Sequence, residues 1–325
     1  MDEQKPWISG AQPEVSAEEK DPQSPNFPQQ DVPARHFPHF AENIFLGPQG
    51  LRVVWRVLLF FSFGILIFFI ERSILAVLLG HVHLGLWIYM IGESELFAAV
   101  LGASIVMSLM EGRDFGAYGL PVHAAFKKLF WTGALWGIVS LSLLLLAMRV
   151  LGAFHLQGLS IHGVRIVKFA LFYGLFFLIV GFFEEFLFRG YLLFTLGQGI
   201  GFWPAAIVLS IAFGAIHLGN SGESLVGVVA VVFIGLFWCL TLRRTGSLWF
   251  AVGLHAAWDW GETFLYSVPD SGATMPGHLT RSLFHGSRWI TGGSVGPEGS
   301  VLIFGLIALM WALFQRLYKP LKSQA

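Results

Sequence analysis

The sequence predicts an all-α polytopic membrane protein, a bundle of about eight transmembrane helices. Three observations predict it. The chain of 325 residues is 55% hydrophobic and only 12% charged, about half the charge of an ordinary soluble domain. Eight segments are apolar over about the 20 residues that span a bilayer. Lys and Arg collect beside those segments, as positive charge does at the membrane surface.

Charge and cysteine content exclude other classes. Twenty basic and twenty acidic residues cancel, so no global field gathers nucleic acid, and none is expected as a partner. One cysteine, Cys239, permits no internal disulfide and sits in an apolar run where packing is its expected role.

The elements follow in order. Residues 1–40 hold seven acids, three bases and seven of the fourteen prolines without apolar periodicity, which predicts a disordered, acidic, Pro-rich cytoplasmic tail over 1–50. No basic n-region with an apolar stretch opens the chain, so no cleaved signal peptide is expected. Spans are placed at 57–79, 88–110, 129–149, 170–197, 203–221, 225–242, 248–266 and 300–318. Glu71 and Arg72 interrupt the first, so a break into two shorter helices is the alternative there. Residues 51–124 then form N-terminal helices, 125–266 a central core, and 267–325 a Gly-rich outer loop (267–299) with the last helix. Arg52 and Arg56, Arg113 with Lys127 and Lys128, Arg243 and Arg244, and Arg316 with Lys319 and Lys322 fall on one side of eight spans. Both termini are therefore expected in the cytoplasm. Arg165 and Lys168 oppose that orientation.

Most spans read Leu, Phe, Val, Ile, Ala and Gly, and Gly133 with Gly137 makes a GxxxG pair suited to close helix packing. Three spans depart from this. They carry Glu184, Glu185 and Arg189; Phe213 and His217; and His255 and Asp259. An ionisable group at the bilayer centre costs about 2.5 to 3.5 kcal/mol, so these residues need one another or water. On a helix Glu185 and Arg189 share a face and can pair, leaving Glu184 turned away and free. His255 and Asp259 share a face in the same way. Counting from the turn between the fourth and fifth spans, Glu184 and His217 lie at matching depth, about 20 Å in. His255, seven residues into its helix, fits that depth less well.

The run Glu184-Glu185-x-x-x-Arg189, then Phe213-x-x-x-His217, then His255-x-x-x-Asp259, resembles the signature of the CAAX protease and bacteriocin-processing (Abi) family of intramembrane proteases. The resemblance covers roughly 125–265. It implies a helical bundle of about eight spans in a bacterial plasma membrane, and endopeptidase cleavage of a membrane-associated or lipidated peptide. By position, Glu184 is the base that activates water, His217 assists, and His255 and Asp259 stabilise the oxyanion. Glu185, Arg189 and Phe213 are structural support. Many members carry Asn where Asp259 stands, and an anionic Asp cannot donate to an oxyanion. The family is commonly called metalloprotease, although a metal-free mechanism is also proposed for it. Zinc held by Glu184, His217 and His255 stays open here, two imidazoles and a carboxylate being an acceptable ligand set.

The chemistry has a rationale of its own, since a carboxylate beside imidazoles supplies both a base and hydrogen-bond donors. Neither HExxH nor GxSxG occurs. A non-catalytic membrane adaptor or bacteriocin self-immunity protein on the same scaffold is the competing expectation, and a proton-coupled transporter a weaker one, its paired repeats being absent. His81 and His83, and His155, His162, His278 and His285, are expected in connections, while Glu93 and Glu95 lie in the second span without an assigned role.

Overall fold

The computed structural model describes residues 45–47, 50–80, 82–220 and 222–319. The tail expected over 1–50 lies almost wholly outside them, as does His81. The helices are α1 (Val53–Leu79), α2 (Trp87–Glu111), α3 (Lys128–Val150), α4 (Val164–Arg189), α5 (Tyr191–Ile200), α6 (Phe202–His217), α7 (Leu225–Thr245), α8 (Trp249–Trp260), the single turn α9 (Arg288–Thr291) and α10 (Leu302–Leu317). α8 continues into a π-helical turn, Gly261–Tyr266. Two short antiparallel pairs complete the fold, β1 (Leu46–Gly47) with β2 (Gly50–Leu51), and β3 (Phe154–Leu159) with β4 (Thr280–Phe284).

α1, α2, α3, α4 with α5, and α7 are long and apolar enough to cross a membrane, and α6 and α10 are shorter apolar helices. The protein is an all-α polytopic membrane protein. α1 shows why the outer helices read as continuous apolar runs: Leu58, Ile65, Leu66, Phe69, Val77 and Leu78 all point outward from the bundle, where lipid is their solvent. α8 is the opposite case, lying between α3 and α4 with almost every residue buried.

The first span is continuous as placed, without the alternative break at Glu71 and Arg72: α1 runs through both, and Arg72 reaches Glu95 of α2 at 3.2 Å, so the charge finds a partner without unwinding the helix. One expectation is corrected: the fourth span, 170–197, is two helices. It turns at Gly190 (φ −83°, ψ −120°), where a Cβ would come within 2.3 Å of the Phe186 carbonyl, a turn only glycine allows.

The GxxxG pair acts as expected. A Cβ at Gly133 would lie 2.1 Å from the Phe250 carbonyl oxygen, and one at Gly137 2.4 Å from that of Leu254, while Gly253 faces Phe130 equally closely. α3 and α8 therefore touch backbone to backbone, which fixes the height of α8 in the bundle.

Four of the basic groups are held by partners within the bundle. Arg56 binds Glu111 and Gln198, Arg113 also reaches Glu111, Arg243 lies over Phe202 and Trp203, and Arg244 donates to the Tyr318 carbonyl. The expected outer loop, 267–299, is an ordered layer: β4 pairs with β3, and Ser294 donates to the Gly222 carbonyl.

Candidate functional site

α4, α6 and α8 bring their polar residues to one cavity of about 200 Å³, lined by Glu184, His217, His255 and Asp259 among aromatic and aliphatic side chains. Helical spacing does the local work. The Glu185 carboxylate accepts from Arg189 one turn on, at 3.1 Å, both side chains being fully buried. Glu184, one residue earlier, turns towards the cavity and keeps a fifth of its side chain exposed.

Glu185 does a second thing. Its Oε1 lies 3.1 Å from His255 Nδ1, and since a carboxylate only accepts, Nδ1 carries a proton. The other nitrogen, Nε2, faces Glu184 Oε2 at 3.7 Å and Asp259 Oδ2 at 3.4 Å. Trp238 of α7 stacks on the His255 ring with centroids 4.5 Å apart, and the Arg189 guanidinium lies over Trp238 and, 4.3 Å from its centroid, over Phe213. One ion pair and two aromatic rings thus hold the imidazole in place.

His217 is placed differently. It is the last residue of α6, its ring packs edge-on to Phe213 and its Nδ1 lies 2.8 Å from the Phe213 carbonyl. That carbonyl can only accept, so in the neutral ring Nε2 is left as an acceptor. His217 shares the cavity with Glu184 but no hydrogen bond joins them.

His255 meets Glu184 despite its expected mismatch of depth, because α8 is a short helix sunk inside the bundle. Glu184, His217 and His255 do not converge on one ion. Among the described residues the one set of three whose ligand atoms lie within 4.8 Å of one another is Asp259, Glu262 and Asp270. The residues present do not fit the zinc site considered from the sequence.

Several residues at the cavity were not singled out by sequence. Asp270, Ser271 and Glu298 of the 267–299 layer line it, as does Glu93 of α2, which the sequence named without a role. Glu298 accepts from the Ser271 backbone and hydroxyl at 3.1 and 2.7 Å. Burial, with the carboxylates of Asp259 and Glu298 nearby, pushes Asp270 well above the usual carboxylate range. Glu262 had a signal: it follows His255 by seven and Asp259 by three, continuing their helical stripe. Asp270 and Glu298 had none, since only the folding back of the loop brings them in. Trp249 and Trp258, beside the third motif, are buried.

Fold and cavity together define a helical membrane protein with a buried carboxylate–imidazole centre. Residues 166–261 match the family described as type II CAAX prenyl endopeptidase, Rce1-like. The matched segment runs from α4 to the end of α8 and through all three motifs. No curated protein matches the chain.

Proposed function

We propose that the protein is an intramembrane endopeptidase in which Glu184 activates water, His217 assists, and His255 with Asp259 holds the oxyanion. The observation that carries this is the convergence of Glu184 and Asp259 on His255 Nε2 in a cavity that His217 also lines.

Glu184, which keeps a fifth of its side chain exposed, takes a proton from water as hydroxide adds to the scissile carbonyl carbon, with His217 Nε2 positioned to accept a hydrogen bond from the same water. The carbonyl oxygen becomes an oxyanion. With Nδ1–H committed to Glu185, His255 donates to that oxyanion from a protonated Nε2, and the negative charge of Glu184 and Asp259 beside it supports the imidazolium. Asp259 is then an orienter of His255 rather than a donor. Return of the proton from Glu184 to the departing amine completes hydrolysis. The apolar lining, including Phe176, Phe177, Ile303, Leu306 and Met310, suits a membrane-associated or lipidated peptide. Both termini face the cytoplasm and the 267–299 layer lies outside. If Ser294→Cys reacts with an impermeant thiol reagent only after permeabilisation, that orientation is wrong.

The test compares new peptide termini in membranes holding the wild type, His217→Ala or His255→Ala, with insertion checked for each. Cleavage should fall by about 10² or more in both variants, removal of one oxyanion donor alone typically costing 10² to 10³. Undiminished cleavage, or an unchanged cellular phenotype, would favour the non-catalytic adaptor or self-immunity reading of the scaffold.

A further inference from the structure

Asp259 lines the cavity and also belongs to a second group of acids, with Glu262 and Asp270. Asp259 and Glu262 are three residues apart where α8 passes into its π-helical turn, so both project to one side. Asp270 comes to meet them from the loop. It is held by a tight turn in which its N–H donates to the Ala273 carbonyl and the Ala273 N–H donates back, and Thr263 donates to its carboxylate at 3.4 Å. The Val268 N–H bonds the Glu262 carbonyl and ties the start of the loop to the helix end.

Three like charges this close cannot all persist unaided. Glu262 makes the problem acute. It is fully buried, and neither of its carboxylate oxygens has a hydrogen-bond partner. The Trp258 indole is its neighbouring donor, yet it completes no bond of ordinary geometry. Among the described residues neither Glu262 nor Asp270 has an ion-pair partner within 4.0 Å, and Asp259 has only His255. A buried, unpaired carboxylate costs several kcal/mol, so something absent from the chain itself is expected to face Glu262.

The spacing indicates what. Two oxygens bound to one cation at about 2.4 Å are at most about 4.8 Å apart, and the three ligand oxygens here lie within 4.8 Å of one another. We propose that Asp259, Glu262 and Asp270 bind one hard divalent cation of the Ca²⁺, Mg²⁺ and Mn²⁺ class, which staples the 267–299 layer to the end of α8. The ligand set is all oxygen, which selects that class over zinc or copper, and water completes the coordination. The ion neutralises Glu262, brings Asp270 down onto the helix and closes the outer side of the cavity.

The test uses the full chain, purified in detergent, stripped with EDTA and titrated with Mn²⁺. Loss of the free-ion electron-spin signal counts bound ions, and Ca²⁺ and Mg²⁺ serve as competitors. The wild type should bind one Mn²⁺ per chain, and its melting temperature should rise with cation. Asp270→Asn and Glu262→Gln should each weaken binding at least tenfold and abolish the rise, and Glu262→Gln in EDTA should melt no lower than the stripped wild type, because the orphaned charge is gone. Glu184→Gln should bind Mn²⁺ as the wild type does, so the outcome is independent of whether Glu184 is the hydrolytic base. No binding at millimolar Mn²⁺ would overturn the proposal and leave carboxyls that share protons. Binding that survives Asp270→Asn but vanishes in His217→Ala would overturn it in favour of an ion among the imidazoles.

Discussion

Two buried clusters of charge in this molecule are built to opposite rules. In the first, Glu111 accepts from Arg56 Nε at 2.7 Å, Arg56 Nη2 at 2.6 Å and the Tyr191 hydroxyl at 2.6 Å, while Arg56 Nη1 reaches Gln198 at 2.7 Å. Both Glu111 oxygens are engaged, and α1, α2 and α5 are joined. In the cavity, Glu184, Asp259, Asp270 and Glu298 share the lining with His217 and His255, and Glu262, beside Asp259 and Asp270, has no hydrogen-bond partner. A bidentate, fully matched pair locks helices together. Unmatched carboxylates in an apolar surround have shifted proton affinities, the condition under which side chains exchange protons and bind ions. Compensation of charge thus separates the part of the bundle that holds shape from the part that acts.

That contrast breaks if the wrong variants unfold. The largest effect expected is on catalysis: Glu184→Gln should lower turnover by about 10² or more with an unchanged melting temperature, and equal cleavage by wild type and variant would reject Glu184 as the base. Next, Glu111→Ala leaves Arg56 buried without its partner and should cost about 3 kcal/mol, read as a lower melting temperature in detergent. The double variant Arg56→Met with Glu111→Met should recover most of that loss; if it does not, the network contributes more than paired charge.

Glu185→Gln probes the boundary between the two regions. Glu185 is matched to Arg189 yet also orients His255, so protein yield and cleavage should fall together. Gly133→Ala inserts a methyl against the Phe250 carbonyl and should cost about 1 to 3 kcal/mol as α8 is pushed away, with activity falling because His255 rides on that helix. Trp238→Leu is the mildest. It removes the stack on His255 and the ring under Arg189, a loss of about 1 kcal/mol, and should show more clearly in turnover than in melting.

The membrane class with five long apolar helices, the GxxxG seam and the three polar stripes were legible in the sequence, because each follows from local rules: apolar length against bilayer thickness, small residues four apart, ionisable residues one turn apart. The Glu185–Arg189 pair and the freedom of Glu184 follow from the same one-turn geometry. The break at Gly190 was not legible, since a glycine inside an apolar run marks no boundary until the Phe186 carbonyl is found against it. The alternative of a break at Arg72 stayed open in the sequence because Glu95, its partner, lies on the neighbouring helix.

What the sequence by itself determined is the membrane class and the identity of the residues that carry charge into the bundle, because both depend on cost per residue in lipid. Only the tertiary structure decided which of those charges are matched. Glu185 reaches His255 across 70 residues of chain, α8 sits deep because α3 grips it through glycine, and Asp270 enters the acidic group only when the 267–299 layer folds back over the cavity. Those outcomes depend on contacts between distant segments, which local periodicity does not encode.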